Sequence, residues 1–286
     1  LDGKYIKFNF NDTVRIESKE TSPNNNPLSL KIAVSAISSP RETYSYYEEM
    51  FRYIEEEVGV KVEMVQRKTY EEINNLLKLN QVDVAFVCSG GYIYGELDSA
   101  FKLLVVPERD GLQRYYTYII SHEDSQLNKF EDLRGKKFAF TDPLSTSGAL
   151  YPLKRLKQLG TNENNFFSSF TYTHAHDNSI QLVAKRLVDG AAVNSLVFDY
   201  IAKHSPEKTK NIRIIEISES YGMPPIVISH GVSDEMRLKI EKIFLNIHFD
   251  TGSKKILERL MVDKYTSGTD TIYKSVRELV NFVNYQ

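Results

Sequence analysis

The sequence predicts an α/β fold made of two lobes, the second inserted in the first. Three observations carry this. Short apolar strands recur about 25 residues apart with amphipathic helices between them, the signature of βαβ units. A similar strand–helix series begins again after Tyr115, and from Ser233 onward the pattern is almost entirely helical.

The elements follow in order. Residues 1–28 read as an N-terminal tether: Tyr5 to Phe10 alternates weakly, and Asn24-Asn25-Asn26-Pro27 has neither period and reads as a linker. Leu30 to Ala36 is a short apolar strand. Ser39-Pro40-Arg41-Glu42 has the spacing of a capping box with proline at the first helical position. Tyr47, Met50, Phe51, Ile54 and Val58 follow at helical spacing, and Gly59 ends that helix. Val60 to Val65 is the next strand, and Thr69-Tyr70-Glu71-Glu72 opens a second helix with another capping box. Val82 to Val87 is a strand running into a loop, Cys88-Ser89-Gly90-Gly91. Beyond Tyr115, strands are expected at 116–121, 135–140, 191–193, 212–217 and 226–229, with helices at 148–159 and about 179–188. The chain would cross between lobes near Tyr116 to Ser121 and again near Pro224 to Ser229. That places 29–117 and 226–286 in lobe 1 and 118–225 in lobe 2.

Composition narrows the function. With 41% hydrophobic and 26% charged residues in 286, the balance is that of a globular protein. A formal net charge of -2 gives no field that would gather nucleic acid or an anionic membrane. Cys88 is the sole cysteine, so no disulfide forms within the chain, and no apolar run approaches the ~18 residues of a membrane span. The sequence shows no secretory leader but starts at Leu1 rather than Met, so a leader or anchor removed from it or not included is compatible with these residues.

The stretch richest in chemistry is Thr141-Asp142-Pro143-Leu144-Ser145-Thr146-Ser147-Gly148, where a strand ends and three hydroxyl residues stand at the mouth of a helix. First-turn amides lack intrahelical acceptors, and the helix dipole places roughly +0.5 charge there. Hydroxyls donate to oxyanion oxygens and can also accept from a protonated one. The same residues are also ordinary helix caps, so this reading and a plain capping role both stand. No G-x-x-x-x-G-K-[ST] is present, so a nucleotide P-loop is not supported. A second cluster, His174-Ala175-His176-Asp177-Asn178, lies at another helix start; it can supply an anion donor, a cap or, less well supported, a metal ligand. Eighteen tyrosines and no tryptophan are a third feature, and Tyr70, Tyr92 and Tyr115 fall at element ends where a phenol can reach a cleft.

Together these segments resemble the phosphate/phosphite/phosphonate-binding proteins of ABC transporters, from about Lys31 to the C-terminus. The resemblance rests on Ser39-Pro40-Arg41-Glu42, on Tyr70 ahead of Asn80-Gln81-Val82-Asp83-Val84-Ala85-Phe86, on Tyr92, and on Asp132-Leu133-Arg134-Gly135-Lys136. Its specific part is Asp142-Pro143-Leu144-Ser145-Thr146-Ser147-Gly148 followed by His176-Asp177. It implies a two-lobed periplasmic-binding-protein fold, each lobe a mainly parallel sheet flanked by helices, closing on a ligand in the cleft. It implies that Ser145, Thr146, Ser147 and His176, with Tyr70 and Tyr115 from the lobe 1 side, grip the phosphorus oxygens. Tyr92 would line the same cleft, and Asp177 would hold His176 or cap its helix. Members that bind aminoalkyl phosphonates carry carboxylates where Leu196 and Pro224 stand here, so the resemblance implies a ligand without an amine.

The expected function is therefore extracytoplasmic capture of a small phosphorus oxyanion by hinge closure, with no cofactor or metal. The expected partner is the membrane permease of an ABC transporter or, alternatively, a receptor kinase of which this chain is the sensor domain. An enzyme built on Cys88 and His176 is the competing reading, against which a buried cysteine is usually a small hydrophobe.

Overall fold

The computed structural model describes residues 29–285, so the proposed tether at 1–28 lies outside the described residues. Two five- or six-stranded sheets form the frame. The first runs β13(Lys264–Thr266), β4(Lys102–Glu108), β12(Ile226–Ile228), β3(Val84–Phe86), β1(Ser29–Val34), β2(Lys61–Gln66). The second runs β10(Ile212–Ile217), β6(Thr117–His122), β9(Gly190–Asn194), β7(Lys137–Phe140), β8(Ser169–Tyr172). A ribbon of β5(Arg114–Tyr115) and β11(Tyr221–Gly222) accompanies the two chain crossings.

The central strands are continuous apolar runs because both their faces are covered. On β1, Ile32 and Val34 face one cluster with Phe86 and Phe244, while Ala33 faces the other with Ala85 and Val87. In the second sheet, Phe138 and Phe140 share the first sheet's inner cluster, whereas Ala139 packs outward with Ile120 and Val193. One core cluster therefore runs through both lobes, with Phe130, Phe138, Phe166 and Phe167 stacked in its centre.

Pairing is parallel within β2–β1–β3 and within β8–β7–β9. It turns antiparallel at the strands by which the chain changes lobe. Strand β6 pairs antiparallel with β9 and β10, and the returning β12 inserts between β3 and β4 antiparallel to both. The sheets are thus mixed where the resemblance implied mainly parallel ones, because a strand entering from the other lobe runs against the βαβ units it joins.

Helices α1(Pro40–Val58) and α2(Tyr70–Lys78) form where periodicity and caps place them. Met50, Phe51, Ile54 and Val58 give α1 a buried stripe, each such side chain contributing ~1.5–3 kcal/mol, and Gly59 closes it at φ +76°. The Thr69 box is complete: its hydroxyl accepts from the Glu72 N–H, and the Glu72 carboxylate accepts from the Thr69 N–H. Ser39 makes no such side-chain bond, so the first expected capping box does not form. The segment after Val87, expected as a loop, is helix α3(Ser89–Leu97). A π-turn at Thr146–Leu150 leads into α4(Tyr151–Gln158), and α5(Glu163–Phe166), α6(His176–Ala184) and α7(Ser195–His204) complete the second lobe. Helices α8(Asp234–Asn246) and α9(Lys254–Leu260) cover the first sheet; α10(Lys274–Tyr285) packs against α3 in the first lobe and α4 in the second.

Candidate functional site

Three helix starts converge where the lobes meet: α3 from the first, the π-turn and α6 from the second. Each follows a strand, so the hydroxyl-bearing residues lie at the strands' carboxyl ends, where open α/β sheets gather ligands. The close approach depends on glycine. A Cβ on Gly90 would stand 2.1 Å from the Leu144 carbonyl oxygen across the cleft, and one on Gly148 would overlap the Thr141 hydroxyl at 1.5 Å.

The three hydroxyls of the π-turn mouth, all fully buried, have three different surroundings. Ser145 Oγ accepts from the Gly148 N–H at 3.0 Å, an N-cap bond. Thr146 Oγ1 shares a 3.0 Å hydrogen bond with Ser89 Oγ, which is 2.9 Å from the Tyr115 hydroxyl. This Tyr115–Ser89–Thr146 chain crosses the cleft. Ser147 Oγ has no protein partner.

His176 is also fully buried. Its Nδ1 accepts from the Asn194 N–H at 3.1 Å, which puts the ring proton on Nε2, and Nε2 has no protein partner. Burial pushes its pKa down to about 3, so the ring is neutral at physiological pH and offers one N–H. Tyr70 has Ser145, Cys88, Asp142 and Tyr115 as its polar neighbours; its buried hydroxyl lies close to Ser145 but forms no hydrogen bond of good geometry. Burial, with the Asp142 carboxylate nearby, raises its pKa well above the ordinary phenol value, so it remains a donor. Ser35 Oγ, just past β1, and Thr141 Oγ1, just past β7, are likewise buried and unpartnered.

The remaining two expected site residues have other connections. The Tyr92 hydroxyl donates to Asp270 at 3.0 Å, and its ring packs on Phe101 and Tyr273. Asp177 accepts from the Ser39 N–H at 2.8 Å, so it caps a helix of the opposite lobe rather than bonding His176. Asp142 acts in parallel: one oxygen accepts from the Leu144 N–H at 2.9 Å and the other from the Tyr70 N–H at 3.1 Å, at the start of α2. Burial raises the Asp142 pKa, opposed by those two backbone donors. A further backbone bond, His176 N–H to Ile37 carbonyl at 3.0 Å, joins the lobes beside them.

Sequence reasoning passed over Ser35, Ser89, Thr141 and the bridging role of Asp142. Their common signal is a polar residue within three positions of the end of an apolar strand. Among the described residues no group of three or more His, Cys, Asp or Glu is arranged to hold a metal. Cys88 is buried and shares no hydrogen bond with His176.

Residues 32–273 match the family model described as the phosphonate periplasmic substrate-binding protein of ABC transporters. The chain is 28% identical to the phosphonates-binding periplasmic protein of Escherichia coli over 250 residues, 82% of this chain and 70% of that one. A binding-protein component of an ABC phosphonate transporter from Pseudomonas aeruginosa superposes with TM-score 0.85 at 22% identity, covering 90% and 87% of the two chains. A Prochlorococcus marinus protein solved with methylphosphonate superposes with TM-score 0.81 at 19% identity, covering 91% and 100%. Both superpositions have the two-lobed binding-protein fold.

Proposed function

The chain belongs to the periplasmic substrate-binding proteins of ABC phosphonate transporters, which bind rather than transform their substrates, and from that premise we propose that it captures a phosphorus oxyanion without an amine. The carrying observation is that five of the buried groups without protein partners are donors drawn from both lobes: Ser35 Oγ, Tyr70 OH, Thr141 Oγ1, Ser147 Oγ and His176 Nε2. Leaving such groups unsatisfied costs ~1–3 kcal/mol each, and a tetrahedral oxyanion satisfies several of them at once. All are neutral, so they suit a compact anion presented with a helix dipole rather than one that needs a lysine or arginine.

Within this reading Ser147, His176 and Tyr70 donate directly to the anion. Thr146 and Tyr115, already linked through Ser89, and Ser145 with its remaining proton complete the shell. Tyr92 stiffens the wall behind it, and Asp177 acts on closure. Residues 29–117 and 226–285 would move as one lobe against 118–225. The absence of an amine is supported by Leu196 and Pro224, which line a cavity beside Ser35 with no carboxylate among its lining residues. An ammonium there would be desolvated without a counter-charge.

The relatives are binding proteins of ABC transporters, which favours a permease as partner and lends the receptor-kinase alternative no support. Location on the outer face of the membrane fits the family. Among the described residues no helix is long and apolar enough to cross a membrane. Calorimetric titration of the purified protein with phosphate, phosphite and methylphosphonate tests the assignment. Saturable 1:1 binding of at least one is expected, and no binding of any at millimolar concentration defeats it.

A further inference from the structure

Ser35 belongs to two features. Its Oγ is one of the unpartnered donors, and the residue also lines a cavity of about 120 Å³ between the lobes. Asn194, whose amide fixes the His176 ring, stands on the same wall. The cavity therefore adjoins the anion donors rather than lying elsewhere in the fold.

Its walls are apolar and come from both lobes. Tyr47, Phe86 and Met261 contribute from the first, Leu196 and Tyr200 from α7, and Pro224 from the returning crossover. The Tyr200 ring meets Tyr46 of α1 edge-on at 5.0 Å, closing one side of the space across the cleft. Arg259 is the only charged lining residue, and it is paired with Glu49 at 2.8 Å. Apolar protein cavities of ~150 Å³ hold a benzene ring, so a space of about 120 Å³ has room for a group of roughly four to six carbons. Inorganic phosphate or phosphite would leave it without a hydrophobic occupant.

Resting on the oxyanion reading above, we infer that this cavity receives the carbon substituent of the ligand, and that the substrates are phosphonates bearing an uncharged apolar group of about four to six carbons. The oxyanion end is held by Ser147, His176 and Tyr70, and the apolar end lies between Tyr47, Leu196 and Pro224. Both ends then favour closure, because the cavity walls are divided between the lobes.

The test is isothermal titration of phosphate, methylphosphonate, butylphosphonate, phenylphosphonate and 2-aminoethylphosphonate at one pH and ionic strength. Butyl- or phenylphosphonate should bind at least tenfold tighter than methylphosphonate, and 2-aminoethylphosphonate at least tenfold weaker than butylphosphonate. Leu196→Trp, which fills the cavity, should bring the phenyl-to-methyl affinity ratio to within about threefold of one. If phosphate or methylphosphonate binds while the larger ligands bind no tighter, this inference fails and the oxyanion reading stands. An unchanged ratio in Leu196→Trp overturns it equally. If no member of the series binds, the oxyanion reading itself fails and takes this inference with it.

Discussion

Ser145, Thr146 and Ser147 are three adjacent hydroxyls that the chain uses in three ways: a cap for Gly148, a bridge to Ser89, and a donor with no protein partner. They should respond differently to truncation. Ser147→Ala is expected to cost ~1–3 kcal/mol of oxyanion binding by titration, with little change in melting temperature. Ser145→Ala should cost ~1 kcal/mol of stability through the lost cap, measured by denaturant unfolding. Equal effects of both on affinity alone would contradict this division. His176 gives a pH prediction. Its folded pKa of about 3 lies below the ordinary 6.5, so between those values the unfolded chain binds the extra proton. Stability from this group is fully present above pH 6.5 and is lost as pH falls towards 3. His176→Gln should flatten the fall in unfolding free energy between pH 7 and 5, and an identical slope in variant and parent would refute the role of burial. The sequence showed where these residues stand but not which atoms are left unpaired, since Ser89 and Asn194 reach them only through the fold.

At the scale of elements, caps show how far sequence reading extends. The Thr69–Glu72 box is local, complete in four residues, and is legible from spacing alone. The start of α1 looks equivalent, yet its Ser39 amide is satisfied by Asp177, 138 positions away, which no local pattern reports. Helix α3 reads as a loop because Ser89-Gly90-Gly91 has poor helix propensity. Those small residues instead let its first turn sit against Leu144 and Thr146. Gly90→Ala tests this contact. A methyl 2.1 Å from the Leu144 carbonyl oxygen forces the two elements apart. Oxyanion affinity should fall at least tenfold, about 1.4 kcal/mol, while the isolated fold stays intact by circular dichroism. Retention of parental affinity would mean that the elements separate without consequence for binding.

For the whole molecule, the lobes are joined by bonds that do not need a ligand. Asp142 and Asp177 of the second lobe each accept an amide hydrogen at the start of a first-lobe helix, α2 and α1. Negative charge is favoured there by the helix dipole. Ligand contacts and these carboxylates should therefore favour the same closed state. Asp177→Ala is expected to enlarge the radius of gyration of the ligand-free protein in small-angle scattering and to weaken binding without touching an oxyanion oxygen. An unchanged scattering profile with unchanged affinity would rule that contribution out. Helix α10 packs on both α3 and α4, and its Arg277 pairs with Glu96 of α3 at 2.7 Å, so the C-terminus bears on both lobes. By itself the sequence determined the α/β alternation, the two-series organisation, most strands, and the hydroxyl-rich helix mouth at Ser145 to Gly148. These depend on periodicity and local spacing, which neighbouring residues encode. Only the tertiary structure decided the mixed pairing of the sheets, the capping of first-lobe helices by second-lobe carboxylates, and which buried donors are left without partners. Those features depend on contacts between residues far apart in the chain, and packing the lobes together is what brings them within a hydrogen bond's length.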